Sequence, residues 1–218
     1  MAIGIPLGGP RSQIVKFDAR AGRWFRVDGK DAVVDITNGF TAIFDLAQID
    51  IGWAMFVAGQ APDVSFARVP AAMPTKPSEG HKRAVRFNMK LAKSVGGDVR
   101  EITAQAAIVM QAIDQLHDAY TAAPESKEGK LPVVACPSTE AVTQAMSGGA
   151  KSTNYKPVPQ IVNWVPRPAD LPLTSGPTPV AVAAPAPVVA PPATGAKVAT
   201  PPVAKPAAAP AVTDDTEF

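Results

Sequence analysis

Residues 81–93 read His-Lys-Arg-Ala-Val-Arg-Phe-Asn-Met-Lys-Leu-Ala-Lys, and this stretch decides the class of fold. Apolar side chains stand at every second position: Val85, Phe87, Met89 and Leu91. The intervening positions are polar or basic: Arg86, Asn88 and Lys90. A period of two residues is typical of a β-strand with one buried face. The stretch therefore predicts a strand that packs on a core with one face and presents basic side chains on the other.

Short strand-like segments precede this strand and are separated by turn residues. The pairs Asp28-Gly29 and Asn38-Gly39 are typical of two-residue hairpin turns, which need positive φ. Strands are predicted at residues 13–17, 23–27, 32–37, 40–46, 48–58 and 64–69. Gly52, inside one of them, predicts a bulge or tight curvature. Residues 70–80 predict a loop.

Two helices and an extended segment are predicted after the strand. Residues 98–122 carry an apolar stripe at three- and four-residue spacing, and Asp98 with Glu101 forms an Asp-x-x-Glu capping pattern. Residues 131–136 predict a strand, and residues 138–146 a short helix. Pro157, Pro159, Pro166 and Pro168 argue against a helix or a central strand over residues 151–173, so 160–165 is expected to pair at a sheet edge.

This pattern predicts a mainly β protein with one or two helices, an α+β arrangement built on a small twisted sheet or barrel. The OB-fold, a partly open five-stranded barrel, is one member of that class, and other small barrels suit the same strands. Residues 1–173 are expected to form one domain. From Thr174 the chain is rich in Pro, Ala, Val and Thr, which predicts a disordered linker over residues 174–213.

Enzyme and metal chemistry find little support in the sequence. His81, His117 and the single Cys136 lack metal-ligand spacing, and Cys136 is expected to be a buried small hydrophobe. Residues 147–153 resemble the end of a phosphate-binding loop, but alanines occupy both positions where that loop needs glycine. No enzyme activity, cofactor or metal is predicted. The absence of a leader-like or membrane-spanning segment leads us to expect a cytoplasmic protein.

Basic and aromatic residues are interleaved in three clusters, a composition that suits single-stranded nucleic acid. Such strands are held by basic groups along a groove and by aromatic faces that stack on bases. The candidate residues are Arg20, Arg23, Trp24, Arg26, Lys82, Arg83, Arg86, Lys90, Lys151, Tyr155, Lys156, Trp164 and Arg167. In the first cluster we expect Trp24 and Arg26 on the binding face, whereas Trp53 and Phe66 are assigned to the core. Each cluster alone also fits a solvated strand face or a core aromatic with snorkelling neighbours.

The last five residues, Asp-Asp-Thr-Glu-Phe, resemble the acidic tip of bacterial and phage single-stranded-DNA-binding proteins, which reads roughly Asp-Asp-Asp-Ile-Pro-Phe. Asp214, Asp215 and Phe218 match that pattern, whereas Thr216 and Glu217 depart from it. The resemblance covers only the tip and its Pro/Ala tether. It implies a phage or prophage protein of the bacterial cytoplasm that binds single-stranded DNA without sequence preference during replication and recombination.

The same resemblance implies partners for the tip. It suggests that Asp214, Asp215, Glu217 and Phe218 recruit replication and recombination proteins, and that the protein forms a homo-oligomer. Two alternatives remain open at the level of sequence. One is a phage structural or assembly protein with a Pro/Ala spacer, and the other is an RNA-binding protein, because stacking does not by itself distinguish the sugar.

Overall fold

The computed structural model describes residues 13–29, 32–145, 151–171 and 173. The expected N-terminal arm, the linker at 174–213 and the tip at 214–218 lie outside the described residues. Within those residues the chain is mainly β, with ten strands and two α-helices around one sheet-rich core. The predicted class of fold is confirmed.

The strands and helices have the following bounds. The strands are β1 Ile14–Asp18, β2 Arg23–Val27, β3 Val33–Asp35, β4 Thr41–Phe44, β5 Asp50–Met55, β6 Asp63–Arg68, β7 Lys82–Leu91, β8 Val99–Ala104, β9 Leu131–Ala145 and β10 Lys151–Val165. The helices are α1 Ala107–Ala122 and α2 Pro124–Lys127, and short 3-10 turns follow β4 and β7.

Strand β7 lies at the centre of the sheet. One side of it pairs with β8. Its other side pairs with β5 along the first half and with β4 along the second half, so β4 and β5 lie end to end. Beyond β4 come β9 and then β10, and beyond β8 come β1, in parallel, then β2 and β3. Strand β6 extends the sheet from β5.

Part of this pairing follows the OB-fold arrangement. If β4 and β5 count as one bent first strand, then β7 and β8 are the second and third, and β9 and β10, after α1, are the fourth and fifth. The first strand pairs with both the second and the fourth. The difference is that β1, β2 and β3 occupy the side of β8. A hydrogen bond from Tyr155 N to Ala19 O, 2.6 Å long, connects β10 to the β1–β2 turn.

The predicted inner face of β7 is confirmed, because its four apolar side chains are all buried in the main core. Aromatic rings form a continuous part of that core. Trp24 stacks on Phe40 with 4.2 Å between ring centres, and Phe44 contacts both Phe40 and Phe87. Helix α1 covers this core with a stripe that includes Val109, Ile113, Leu116 and Tyr120.

The predicted start of the long helix at residue 98 is wrong. Residues 99–104 form β8, in which Arg100, Ile102 and Ala104 are buried and the residues between them are half-buried. Apolar residues in this segment satisfy a two-residue period as well as the helical one, and pairing with both β1 and β7 decides for the strand. The Asp98 carboxylate binds Arg100 at 2.6 Å instead of capping a helix.

The predicted helix at 138–146 is also wrong. Strand β9 continues to Ala145 and pairs with β10 almost residue for residue. Threonine and valine at positions 139, 142 and 143 suit a strand, and the long partner strand supplies hydrogen bonds that a short helix lacks. Strand β10 is an edge strand, as predicted for 160–165, but it begins at Lys151. Pro157 and Pro159 are compatible with it because one side of an edge strand needs no donors.

Gly52 is required for steric reasons, and the strand has no bulge at this position. It pairs in regular register with Phe66 on β6 and Ala84 on β7. A Cβ atom at this position would lie 2.8 Å from the Phe66 Cα and closer still to the Ser65 carbonyl oxygen. Glycine is therefore required because β5 and β6 approach each other closely here.

Candidate nucleic-acid interface

In the first predicted cluster, the side chains of Trp24 and Arg26 point toward the core and not toward solvent. Trp24 is only 3% exposed and lies between Phe17 and Phe40, so its assignment to an exposed binding face is wrong. Arg26 shares that inner side and is occupied by the Asp28 carboxylate and the Val95 carbonyl. Phe25 points to the opposite face, where Lys16 Nζ lies 5.6 Å from its ring centre. Alternation fixed which residues share a face, and the aromatic pocket decided which face is buried.

The other two arginines of this cluster lie on the surface. Arg23 forms an exposed ion pair with Asp35 at 2.9 Å. Hydrogen bonds from Thr37, with the pairing to Arg23, hold the pKa of Asp35 below its ordinary value. Arg20 is exposed in the β1–β2 turn. Among the arginines of this cluster, Arg20 is the one whose side chain forms no ion pair within the described residues.

Most of the third cluster has a structural role. Trp164 packs against Tyr120 of α1, with 5.9 Å between ring centres. Tyr155 packs over Gly22, where a Cβ atom would meet its ring at 3.0 Å. Lys156 donates to Gln115 at 3.0 Å. Arg167 binds the buried Asp45 carboxylate through two bonds of 2.6 and 2.7 Å. Lys151 is the exposed member of the cluster.

The second cluster, on β7, divides into a paired half and an open half. Arg86 and Lys90 are half-buried and bind Asp50 and Asp170 at 3.0 and 2.7 Å. Lys82 and Arg83, at the start of the strand, are exposed and form no ion pair within the described residues. The open half of β7 is therefore the part of the strand best able to meet phosphate groups.

Aromatic side chains that the sequence analysis did not assign to the interface surround this open half. Trp53, expected in the core, is half-exposed and stands opposite Arg83 in the register. Its Nε1 donates to Pro74 O at 2.8 Å, and Lys76 Nζ lies 5.6 Å from its ring centre. Phe56, just past β5, is 54% exposed. We call Trp53, Phe56, Lys76, Lys82 and Arg83 the hairpin surface.

The residue pattern of β5 explains why Trp53 was assigned to the core. Positions 50, 52 and 54 of β5 hold Asp, Gly and Ala, whereas 51, 53 and 55 hold larger apolar residues. Hydrophobicity alone assigns the larger set to the core face. In the structure the smaller set is buried between the flanking strands β6 and β7, and the larger set is half-buried.

The opposite face of the same three strands forms a ladder of paired residues. Asp50 lies between Arg68 and Arg86, and Gly52 lies between Phe66 and Ala84. Phe66 is 5% exposed, which confirms that it is buried, but it belongs to a small cluster with Ala54 and Ala84 apart from the main core. Arg86 lies over the Phe66 ring, with its Cζ 4.5 Å from the ring centre.

The registers bring two of the predicted clusters to one end of the sheet. Val15 pairs with Ile102, and Ile102 pairs with Phe87, so β1 runs antiparallel to β7 two strands away. The turn that holds Arg20 is consequently level with the start of β7, where Lys82 and Arg83 lie. Tyr155 of the third cluster contacts this same turn through its backbone.

Comparison of the chain with protein-family models, curated proteins and solved structures finds no match. In the described ranges, no three His, Cys, Asp or Glu side chains approach closely enough to hold a metal ion. No helix among the described residues has the length and hydropathy to cross a bilayer.

Cys136 is buried, as predicted, and its Sγ lies 3.5 Å from the Ser138 carbonyl. Burial raises the pKa of its thiol, so less reactive thiolate is present at a given pH. We expect a thiol reagent at pH 8 to modify the native protein at least about tenfold more slowly than the urea-unfolded chain. Because Cys136 is the single cysteine, absorbance of the released reporter measures this directly. Equal rates in the native and unfolded protein would contradict the buried position.

Proposed function

We propose that this protein binds single-stranded DNA without sequence preference, and that it protects and organises the strand during replication or recombination. The observation that carries the proposal is the hairpin surface, where exposed Arg83 stands opposite half-exposed Trp53 and exposed Phe56 follows β5, while exposed Lys82 lies at the same strand end on the other face of the sheet. Basic groups neutralise phosphates, and aromatic faces stack on bases with about 1–3 kcal/mol per base. Both requirements are met at one place on the sheet.

The position of the hairpin surface in the fold supports the same function. OB-folds bind oligonucleotides on the face of their second and third strands and with the loop between the first and second. In this chain the corresponding parts are β7, β8 and residues 56–81. The hairpin surface lies at the start of β7 and in the flanking segments. The likeness to OB-folds is one of architecture, and the local chemistry of the residues supports the function separately.

The tail completes the proposal. Asp214, Asp215, Glu217 and Phe218 combine three carboxylates with an apolar ring, which suits a partner pocket that is hydrophobic and rimmed by Lys or Arg. We propose that replication or recombination proteins provide such a pocket in the bacterial cytoplasm. The protein itself acts by binding, without catalysis.

The central test is an anisotropy titration of labelled oligo-dT at low and moderate salt, with duplex DNA as the control. We expect saturable binding that weakens with salt and strongly prefers the single strand. The double variant K82Q/R83Q is expected to bind about tenfold more weakly and to lose about 1.4 from the logarithmic salt slope, because two phosphate contacts are removed. The double variant K93Q/K127Q removes the same charge at exposed lysines outside the hairpin surface and should bind like the wild type.

The outcomes separate the competing functions. Equal binding by the two double variants would show that the hairpin surface is not the site. No salt-sensitive binding to oligo-dT at all would remove the DNA proposal in favour of a structural protein with a spacer tail. Tighter binding to oligo-rU than to oligo-dT would assign the protein to RNA.

A further inference from the structure

Arg86 is held on two sides by its neighbours. Its Nη2 donates to Asp50 Oδ2 at 3.0 Å, and the Asp50 side chain is only 6% exposed. Asp50 also accepts a bond from Arg68 Nε at 2.5 Å. The guanidinium of Arg86 lies over the Phe66 ring, and its side chain remains 25% exposed. The edge of the guanidinium is therefore engaged by a carboxylate, and one of its planes rests on an aromatic ring.

This arrangement makes Arg86 the outer layer of a stack. Phe66 is too deeply buried to offer its ring to a ligand, and Arg86 covers it. A guanidinium plane is itself a surface on which nucleic-acid bases stack. Lysine has a compact ammonium without such a plane. The guanidinium edge of Arg86, in contrast, is already engaged by Asp50, which makes it a weaker ligand for phosphate than Lys82 or Arg83.

We propose that Arg86 is a base-stacking platform on the face of the sheet that it shares with Lys82, and that Asp50 and Phe66 are the residues that position it. This inference rests on the proposed binding of single-stranded DNA. It assigns separate tasks to the two halves of β7. On that face, Lys82 at the start of β7 holds phosphate, and Arg86 in the paired half presents a flat cation to a base.

The test compares two probes, oligo-dT and an abasic oligomer of the same length, which has the same phosphates but no bases. Arg86→Lys keeps the charge and removes the plane. We expect it to weaken binding to oligo-dT about five- to tenfold, with the salt slope unchanged and with no effect on the abasic probe. The matched control Lys93→Arg interchanges the same two side chains at an exposed position outside the hairpin surface, and it should bind both probes like the wild type.

Each alternative outcome is distinguishable. Wild-type affinity of Arg86→Lys for oligo-dT, or an equal loss on both probes, would overturn the platform while leaving the proposed function intact. Failure of the wild type to bind oligo-dT would instead overturn the proposed function. If Arg86→Lys does not fold, Phe66→Leu removes the supporting ring while leaving Arg86 in the sequence. It should reduce the preference for oligo-dT over the abasic probe, and an unchanged preference would overturn the proposal.

Discussion

Arg167→Ala is expected to lower the free energy of unfolding by about 3–5 kcal/mol, because it leaves a buried carboxylate without its partner. Asp45 is 1% exposed and receives both of its short bonds from the Arg167 guanidinium. Arg167 also donates to Leu171 O at 3.2 Å, and Leu171 is fully buried. The substitution therefore removes the charge partner of Asp45 and one bond that fixes the end of the described body.

Urea unfolding followed by tryptophan fluorescence measures this loss. The control is Lys156→Ala, which removes another basic side chain that bonds to a neighbouring element, here the exposed Gln115. We expect that control to change stability by no more than about 0.5 kcal/mol, as for other surface substitutions. Adding Asp45→Asn to Arg167→Ala should recover part of the loss, because the uncompensated charge is then removed. A loss under about 1 kcal/mol for Arg167→Ala would show that water or another group satisfies Asp45.

Trp24→Ala is expected to cost about 3–5 kcal/mol of stability, since it empties a large volume in the centre of the core. The indole is 3% exposed and contacts Phe17 and Phe40, at ring-centre distances of 5.0 and 4.2 Å. The surrounding side chains belong to several strands of one sheet, so the site collapses only in part. Trp24→Phe retains an aromatic ring and should lose markedly less.

Thermal unfolding followed by circular dichroism compares Trp24→Ala with Trp53→Ala. Trp53 is half-exposed, so its removal should cost less than half as much stability. For binding to oligo-dT we expect the opposite order, with the larger loss at Trp53. Trp24→Phe should bind within about twofold of the wild type, and Trp53→Ala should lose a stacking contact. A severe loss of DNA binding by a stably folded Trp24→Phe protein would restore Trp24 to the interface.

Secondary structure was predictable where one period dominated the sequence. Strand β7 alternates over residues 85–91, and the stripe of α1 persists over four turns, so both were found. Residues 99–104 carry apolar groups that satisfy either period, and only their pairing with β1 and β7 selects the strand. Residues 138–145 lacked a dominant period, and pairing with the strand β10 decided their conformation.

Candidate site residues were predictable as types but not as neighbours. Basic residues on β7 were identified from alternation, yet the partners that neutralise two of them are far away in the chain. Lys90 binds Asp170 and Arg86 binds Asp50, so only Lys82 and Arg83 stay open. Trp24, expected on an exposed face, is buried, and Trp53, expected in the core, is half-exposed. Nothing within either strand specified which of its faces would meet the core.

The sequence by itself determined that this protein is mainly β, that β7 has a buried and a basic face, and that a helix lies within residues 98–122. Those properties depend on periodicity within one element, which neighbouring residues encode. Tertiary structure alone decided the burial of Trp24, the exposure of Trp53 and the pairing of Arg167 with Asp45 across 122 positions. The physical reason is that the buried face of a strand and the partner of a charge depend on which distant side chains fill the space beside them.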